Sequence, residues 1–79
     1  MPRFLDRIKA RRLGRKAFNR ANGDVEQAEV FFKEDAKAEG LDPATILLLL
    51  QLAYKFWRWL KDNGYLENAP ESTENIDFE

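Results

Sequence analysis

Apolar residues dominate one stretch in the second half of the chain. Between Ile46 and Leu60, twelve of fifteen residues are apolar, and the three polar ones are Gln51, Lys55 and Arg58. Their spacing of four and three residues places them on one narrow stripe of an α-helix, so the rest of the circumference is apolar. Such a helix needs cover from several sides. The pattern therefore predicts either a central core helix or a surface that meets a partner.

Turn and capping residues divide the chain into three predicted helices. Asp24 and Asp42-Pro43 are favourable helix starts, and a glycine follows each periodic segment, at positions 23, 40 and 64. After residue 66 the composition changes to Glu, Asn, Pro, Ser and Thr, which is typical of a flexible segment. We predict an all-α fold class. It comprises a small three-helix domain over residues 1–66, with helices at 3–21, 24–39 and 43–63, and an acidic, flexible C-terminal tail over 67–79.

The predicted first helix has two unlike faces. One face carries mostly small apolar residues at helical spacing, which would let a neighbouring helix approach closely. These residues are Ala10, Leu13, Gly14, Ala17, Phe18 and Ala21. The opposite face is cationic and contains no acid: Arg11, Arg12, Arg15, Lys16, Asn19 and Arg20. Phe4, Leu5 and Ile8 point toward the basic side, and the pattern leaves open whether they belong to the core or to a contact surface.

The predicted second helix has an ordinary core face, because its apolar residues follow helical spacing. They are Val25, Ala28, Phe31, Phe32 and Ala36. Asp35 and Glu39 fall near that face at its C-terminal end, where we expect them to meet arginines of the first helix. Val30 points away from the core face.

One segment resembles a known family. Residues 17–32, AFNRANGDVEQAEVFF, are similar to the turn and following helix of ubiquitin-associated domains, in which a Gly-Asn or Gly-Asp turn precedes a Val-Glu-x-x-Ala pattern. The similarity covers 16 of 79 residues. The upstream half departs from the family, because Leu13-Gly14 stands too close to Ala17 for the loop that the family has there. We assign no membership on this segment.

Charge is uneven along the chain, although the net value is only -1. Residues 1–22 carry a net charge of +7, and the other 57 residues carry -8. Five acids and no cation fall within the last 13 residues. The tail is therefore suited to lie over the basic helix. Exposed ion pairs contribute only about 0 to 1 kcal/mol each, so docking by charge alone would be partial.

The residue types present argue against most catalytic and metal chemistry. Cysteine and histidine are absent, which removes disulfides, thiolate ligands and the usual general base. Phosphate-binding glycine loops and calcium-loop patterns are missing as well. We therefore predict a non-enzymatic protein with no catalytic residues, cofactor, metal site or small-molecule substrate. The basic N-terminus lacks the apolar stretch of a secretory signal, so we expect a cytoplasmic location.

Three binding functions remain, and the preferred one is protein interaction through the third helix, either with a protein partner or by self-association as a homo-oligomer. We expect its core residues to be Leu47, Leu49, Leu50, Ala53, Phe56, Trp57 and Leu60. The remaining apolar surplus gives the predicted interface: Leu48, Leu52, Tyr54 and Trp59.

The other two functions use the basic first helix. Nucleic acid or another polyanion would bind through Arg11, Arg12, Arg15, Lys16, Asn19 and Arg20, although such binders tend to be basic overall. A membrane surface would bind the apolar residues Phe4, Leu5 and Ile8 between their cations. A membrane span is not expected, because the apolar run of the third helix falls short of the about 20 residues that a bilayer requires.

Overall fold

The computed structural model describes residues 4–76, with side chains from Arg7 onward. Within that range the chain forms three α-helices, α1 (Phe4–Arg20), α2 (Val25–Ala38) and α3 (Pro43–Asp62), and a short 3-10 helix (Glu71–Asn75). No β-strand occurs in residues 4–76. The predicted all-α, three-helix class is confirmed. Residues 77–79 of the tail and the side chains of Phe4 and Leu5 lie outside the described part.

Local interactions explain where the helices begin and end. The Asp24 carboxylate accepts two backbone N–H groups in the first turn of α2, at 3.0 and 3.4 Å. The Asp42 carboxylate accepts the backbone N–H of Thr45 at 3.4 Å and also its hydroxyl. Both aspartates therefore act as N-caps, as their positions predict. After α1 the chain turns at Gly23, whose φ is +83° and where a Cβ would lie 1.8 Å from the carbonyl oxygen of Leu66, so only glycine fits there.

The most enclosed helix is α1, because it packs against α2, α3 and the 3-10 helix. Its small-residue face allows this. A Cβ on Gly14 would lie 3.3 Å from Cδ2 of Phe56, so α1 and α3 are in close contact. The indole N–H of Trp57 donates a 2.9 Å hydrogen bond to the Gly14 carbonyl oxygen, and the Phe32 ring of α2 meets Trp57 edge-on at 6.0 Å. The three helices thus share one core around the buried Trp57.

The boundary between α2 and α3 is formed at two places. Residues 39–42 connect the two helices. Lys33 and Lys37 of α2 lie beside Pro43, Ile46 and Leu47 at the start of α3. The Phe32 ring contacts Trp57 in the second half of α3.

Candidate functional site

Exposed apolar residues are concentrated on the outer side of α3. Leu47 is 57% exposed and Leu48 is 41% exposed, and Pro43 and Ala44 beside them are also exposed. These four residues are called the α3 patch below. Tyr54, 40% exposed, lies two turns beyond Leu47 on the same line of the helix. The predicted interface residues Leu48 and Tyr54 are therefore accessible to a partner.

The prediction that Leu52 belongs to the interface is wrong. Only 4% of Leu52 is exposed and it lies in the core, whereas the sequence pattern places it on the interface. Leu47 is the converse case, since the pattern assigns it to the core and it is the most exposed leucine of α3. The physical reason is that a nearly all-apolar helix has no clear polar side to orient it. Rotation of such a helix about its axis brings one apolar residue to the surface and buries another, so the total hydrophobic burial changes little.

Trp59 has an intermediate position. It is partly buried, and its ring stacks on that of Tyr65 with centroids 6.2 Å apart and an interplanar angle of 25°. Tyr65 reaches it because the chain reverses after α3, where the Tyr65 N–H donates a 2.9 Å hydrogen bond to the Leu60 carbonyl oxygen. Part of the Trp59 surface is thus covered by its own chain, and Trp59 is a weaker interface candidate than Leu48.

A groove runs along the boundary of α2 and α3 and adjoins the α3 patch. Its volume is about 280 Å³, and it is lined by Lys33, Lys37, Pro43, Ile46 and Leu47. It is called the α2–α3 groove below. Sequence patterns do not predict the groove, because it forms only where two helices meet. The available clue is the pair of lysines four residues apart on the second helix, at positions that also flank its apolar face.

The electrostatic environment of the groove is cationic on the α2 side. Lys33 and Lys37 lie on one face of α2, and neither takes part in an ion pair with a carboxylate of the described residues. The closest acid on the α3 side is Asp42. The hydroxyl of Thr45 donates to its carboxylate and lowers the pKa of Asp42, so this group stays ionised as the cap of α3.

A second, more polar depression lies at the other end of α3. It has a volume of about 210 Å³ and is lined by Lys55, Arg58, Trp59 and Asp62. Its charged side chains carry both signs, and the helix around it exposes Gln51 and Lys61. The exposed side of the C-terminal half of α3 is therefore mostly polar, in contrast to the α3 patch.

The basic face of α1 is partly neutralised by α2. The Glu39 carboxylate lies 3.5 Å from Nζ of Lys9 and 3.7 Å from the guanidinium of Arg12. Arg20 pairs with Asp35 at 3.1 Å, and its guanidinium carbon lies 4.2 Å from the centroid of the Phe31 ring. Asp35 and Glu39 therefore meet cations of α1, as the sequence pattern predicts.

The rest of that face is covered by residues 67–76, called the strap below. The amide of Asn19 donates to the Ala69 carbonyl oxygen at 3.0 Å and accepts the Ala69 N–H at 2.7 Å. Arg15 pairs with Glu74, and Arg11 donates to the Ile76 carbonyl oxygen at 2.9 Å. Ala69 and Thr73 of the strap are buried. Of the six residues predicted to bind a polyanion, Arg11, Arg15 and Asn19 thus contact the strap, and Lys16 remains exposed.

No group of three His, Cys, Asp or Glu side chains that could hold a metal ion occurs in the described part of the chain. None of the described helices has the length and apolar character needed to cross a bilayer. Comparisons with protein-family models, curated proteins and solved structures find no match. The candidate site is therefore the α3 patch with the adjoining groove, defined by geometry alone.

Proposed function

We propose that this protein is a small, non-enzymatic interaction module that binds another protein chain through the α3 patch. The observation that supports the proposal is the exposure of Leu47 and Leu48 side by side on one helix, at 57% and 41%. Burying a leucine side chain is worth roughly 1.5 to 3 kcal/mol. A contact that covers both leucines would gain much of that free energy.

The geometry supports polyanion binding less well. Cations that would bind phosphates already form ion pairs with Asp35, Glu39 and Glu74. A nucleic acid would therefore have to displace contacts within the protein. A membrane surface that bound Lys9 and Arg12 would also have to displace their contacts with Glu39. The α3 patch involves no such competition, because its leucines are exposed to solvent.

A pair of single variants tests the proposal. Leu48→Glu places a charge in the α3 patch, and Leu66→Glu makes the same change at a residue that is 64% exposed and lies beyond α3. Both proteins should keep the thermal stability of the wild type, since neither change affects the core. A partner recovered by proximity labelling in the native cells should be lost with Leu48→Glu and retained with Leu66→Glu.

Self-association is tested on the same proteins by sedimentation equilibrium. If the partner is a second copy, the mass of the wild type will rise with concentration and that of Leu48→Glu will stay at the 9.3 kDa of one chain. A wild type that is monomeric at millimolar concentration, together with a set of labelled proteins that Leu48→Glu does not change, would contradict the proposed function.

A further inference from the structure

We infer that the α2–α3 groove binds an acidic amphipathic segment of another protein, with an apolar side chain between the two helices and carboxylates bound to Lys33 and Lys37. This inference rests on the proposed function and adds the chemistry of the partner. The groove adjoins the α3 patch through Pro43 and Leu47, which belong to both. One partner segment could therefore cover the two together.

Charge is the first argument for an acidic partner. Lys33 and Lys37 are four residues apart on α2, and two like charges at that spacing destabilise a helix. Four acids lie within four residues of one or both lysines, Glu29, Glu34, Asp35 and Glu39, and none of them forms an ion pair with Lys33 or Lys37. Four cations of α1, in contrast, are paired with Asp35, Glu39 and Glu74: Lys9, Arg12, Arg15 and Arg20. The two lysines beside the groove are thus open to carboxylates from outside.

The shape of the site is the second argument. At about 280 Å³ the groove lies just below the range of about 300 to 1,000 Å³ that is usual for small-molecule pockets. Further exposed apolar residues lie on both helices that form it. Val30, one turn before Lys33 on α2, is 47% exposed, and Tyr54, two turns after Leu47 on α3, is 40% exposed. An open groove with apolar residues on both sides suits a helix that carries several apolar residues on one face.

A second copy of this chain fits the site less well. In a two-fold symmetric dimer the same patch faces itself, so the lysine pair of one copy would approach that of the other. Like charges facing each other across an interface are unfavourable. The charge of the groove therefore favours a different, acidic chain.

Two synthetic helical peptides test the inference on the full-length protein. Both carry leucine and phenylalanine along one face, and the residues flanking that face are glutamate in one peptide and lysine in its twin. Binding is measured by fluorescence anisotropy, and the site is located by backbone NMR shifts at residues 30–37 and 43–48. We expect the glutamate peptide to bind at least about tenfold more tightly than its twin, with a preference that decreases as salt is added.

Charge reversal provides the matched variants. Lys33→Glu combined with Lys37→Glu should reverse the preference, so that the lysine peptide binds better, while Lys61→Glu at the far end of α3 should leave it unchanged. Leu47→Ala should weaken the binding of both peptides. Lys33→Gln with Lys37→Gln serves as a milder variant and should abolish the preference without reversing it.

Three outcomes would overturn the inference. The first is equal binding of the two peptides, or binding of neither. The second is NMR shifts confined to α1 or the strap. The third is saturable binding of decanoate in the groove with no peptide preference, which would identify a site for a carboxylated lipid. If any of these occurs while partner recovery still depends on Leu48, the groove inference fails and the proposed function stands. If partner recovery does not depend on Leu48 either, both the groove inference and the proposed function fail.

Discussion

At the scale of single residues, two leucines of α3 that are one turn apart have opposite environments. Leu48 is 41% exposed and Leu52 is 4% exposed. Leu52→Ala should lower the free energy of unfolding by about 2 to 5 kcal/mol, because it leaves a cavity in the core. Leu48→Ala should change it by no more than about 0.5 kcal/mol. Urea denaturation of both variants measures the difference. Equal losses would show that Leu48 is packed within the protein and is not available to a partner.

Asp42 gives a prediction about pH. Its carboxylate caps α3, and the hydrogen bond from the Thr45 hydroxyl lowers its pKa below the usual value. A group whose pKa is lower in the folded state stabilises the fold above its unfolded pKa, and this contribution disappears as the pH falls through the folded pKa. Asp42→Asn should therefore melt at a lower temperature than the wild type at neutral pH, and the two melting curves should converge in acid. A difference that persists at the lowest pH would refute this role.

The enclosed face of α1 could be predicted from the sequence, and the orientation of α3 could not. Along α1, small apolar residues alternate with arginines, so Gly14 and Ala17 have only one favourable direction, which is the one observed. Along α3 the apolar residues surround most of the helix, and packing against α1 and α2 decides that Leu52 turns inward and Leu47 outward. The lysines of the α2–α3 groove were not predictable as a site either, because the groove exists only between two helices.

At the scale of elements, the strap shows how a polar segment becomes ordered. Its composition predicts a flexible segment. Ion pairs between its acids and the cations of α1 predict that it is bound to α1 only part of the time. The Asn19 amide, however, binds both the N–H and the carbonyl oxygen of Ala69, and the short 3-10 helix buries Thr73. Sequence patterns do not reveal such contacts between a side chain and a distant backbone group, because any backbone can supply the second partner.

Removal of residues 67–79 tests the role of the strap. The deletion removes three hydrogen bonds between strap backbone groups and the side chains of Arg11 and Asn19. Each contributes about 0.5 to 1.5 kcal/mol, so the deletion should lower the free energy of unfolding by about 1.5 to 4.5 kcal/mol. It should also increase binding to single-stranded DNA at low salt, because Arg11 and Arg15 become accessible. Asn19→Ala in the full chain should have a smaller effect in the same directions. Unchanged stability and unchanged amide exchange in α1 would show that the strap is not part of the folded unit.

At the scale of the whole molecule, α1 is covered on several sides, whereas α3 keeps an exposed apolar surface. Four cations of α1 lie against acids of α2, its C-cap and the strap: Lys9, Arg12, Arg15 and Arg20. The most cationic helix, α1, therefore packs against α2, α3 and the strap. The most apolar helix, α3, exposes Leu47 and Leu48. We therefore propose that the interaction surface lies on α3 and not on α1.

Site-specific photo-crosslinking tests that assignment most directly. A benzophenone amino acid is placed either at position 48 in the α3 patch or at position 16, the exposed lysine on the basic face of α1. After the native cells are illuminated, we expect a discrete protein adduct from position 48 and none from position 16. An adduct of twice the mass of the chain would identify the partner as a second copy. Adducts from position 16 with none from position 48 would contradict the account.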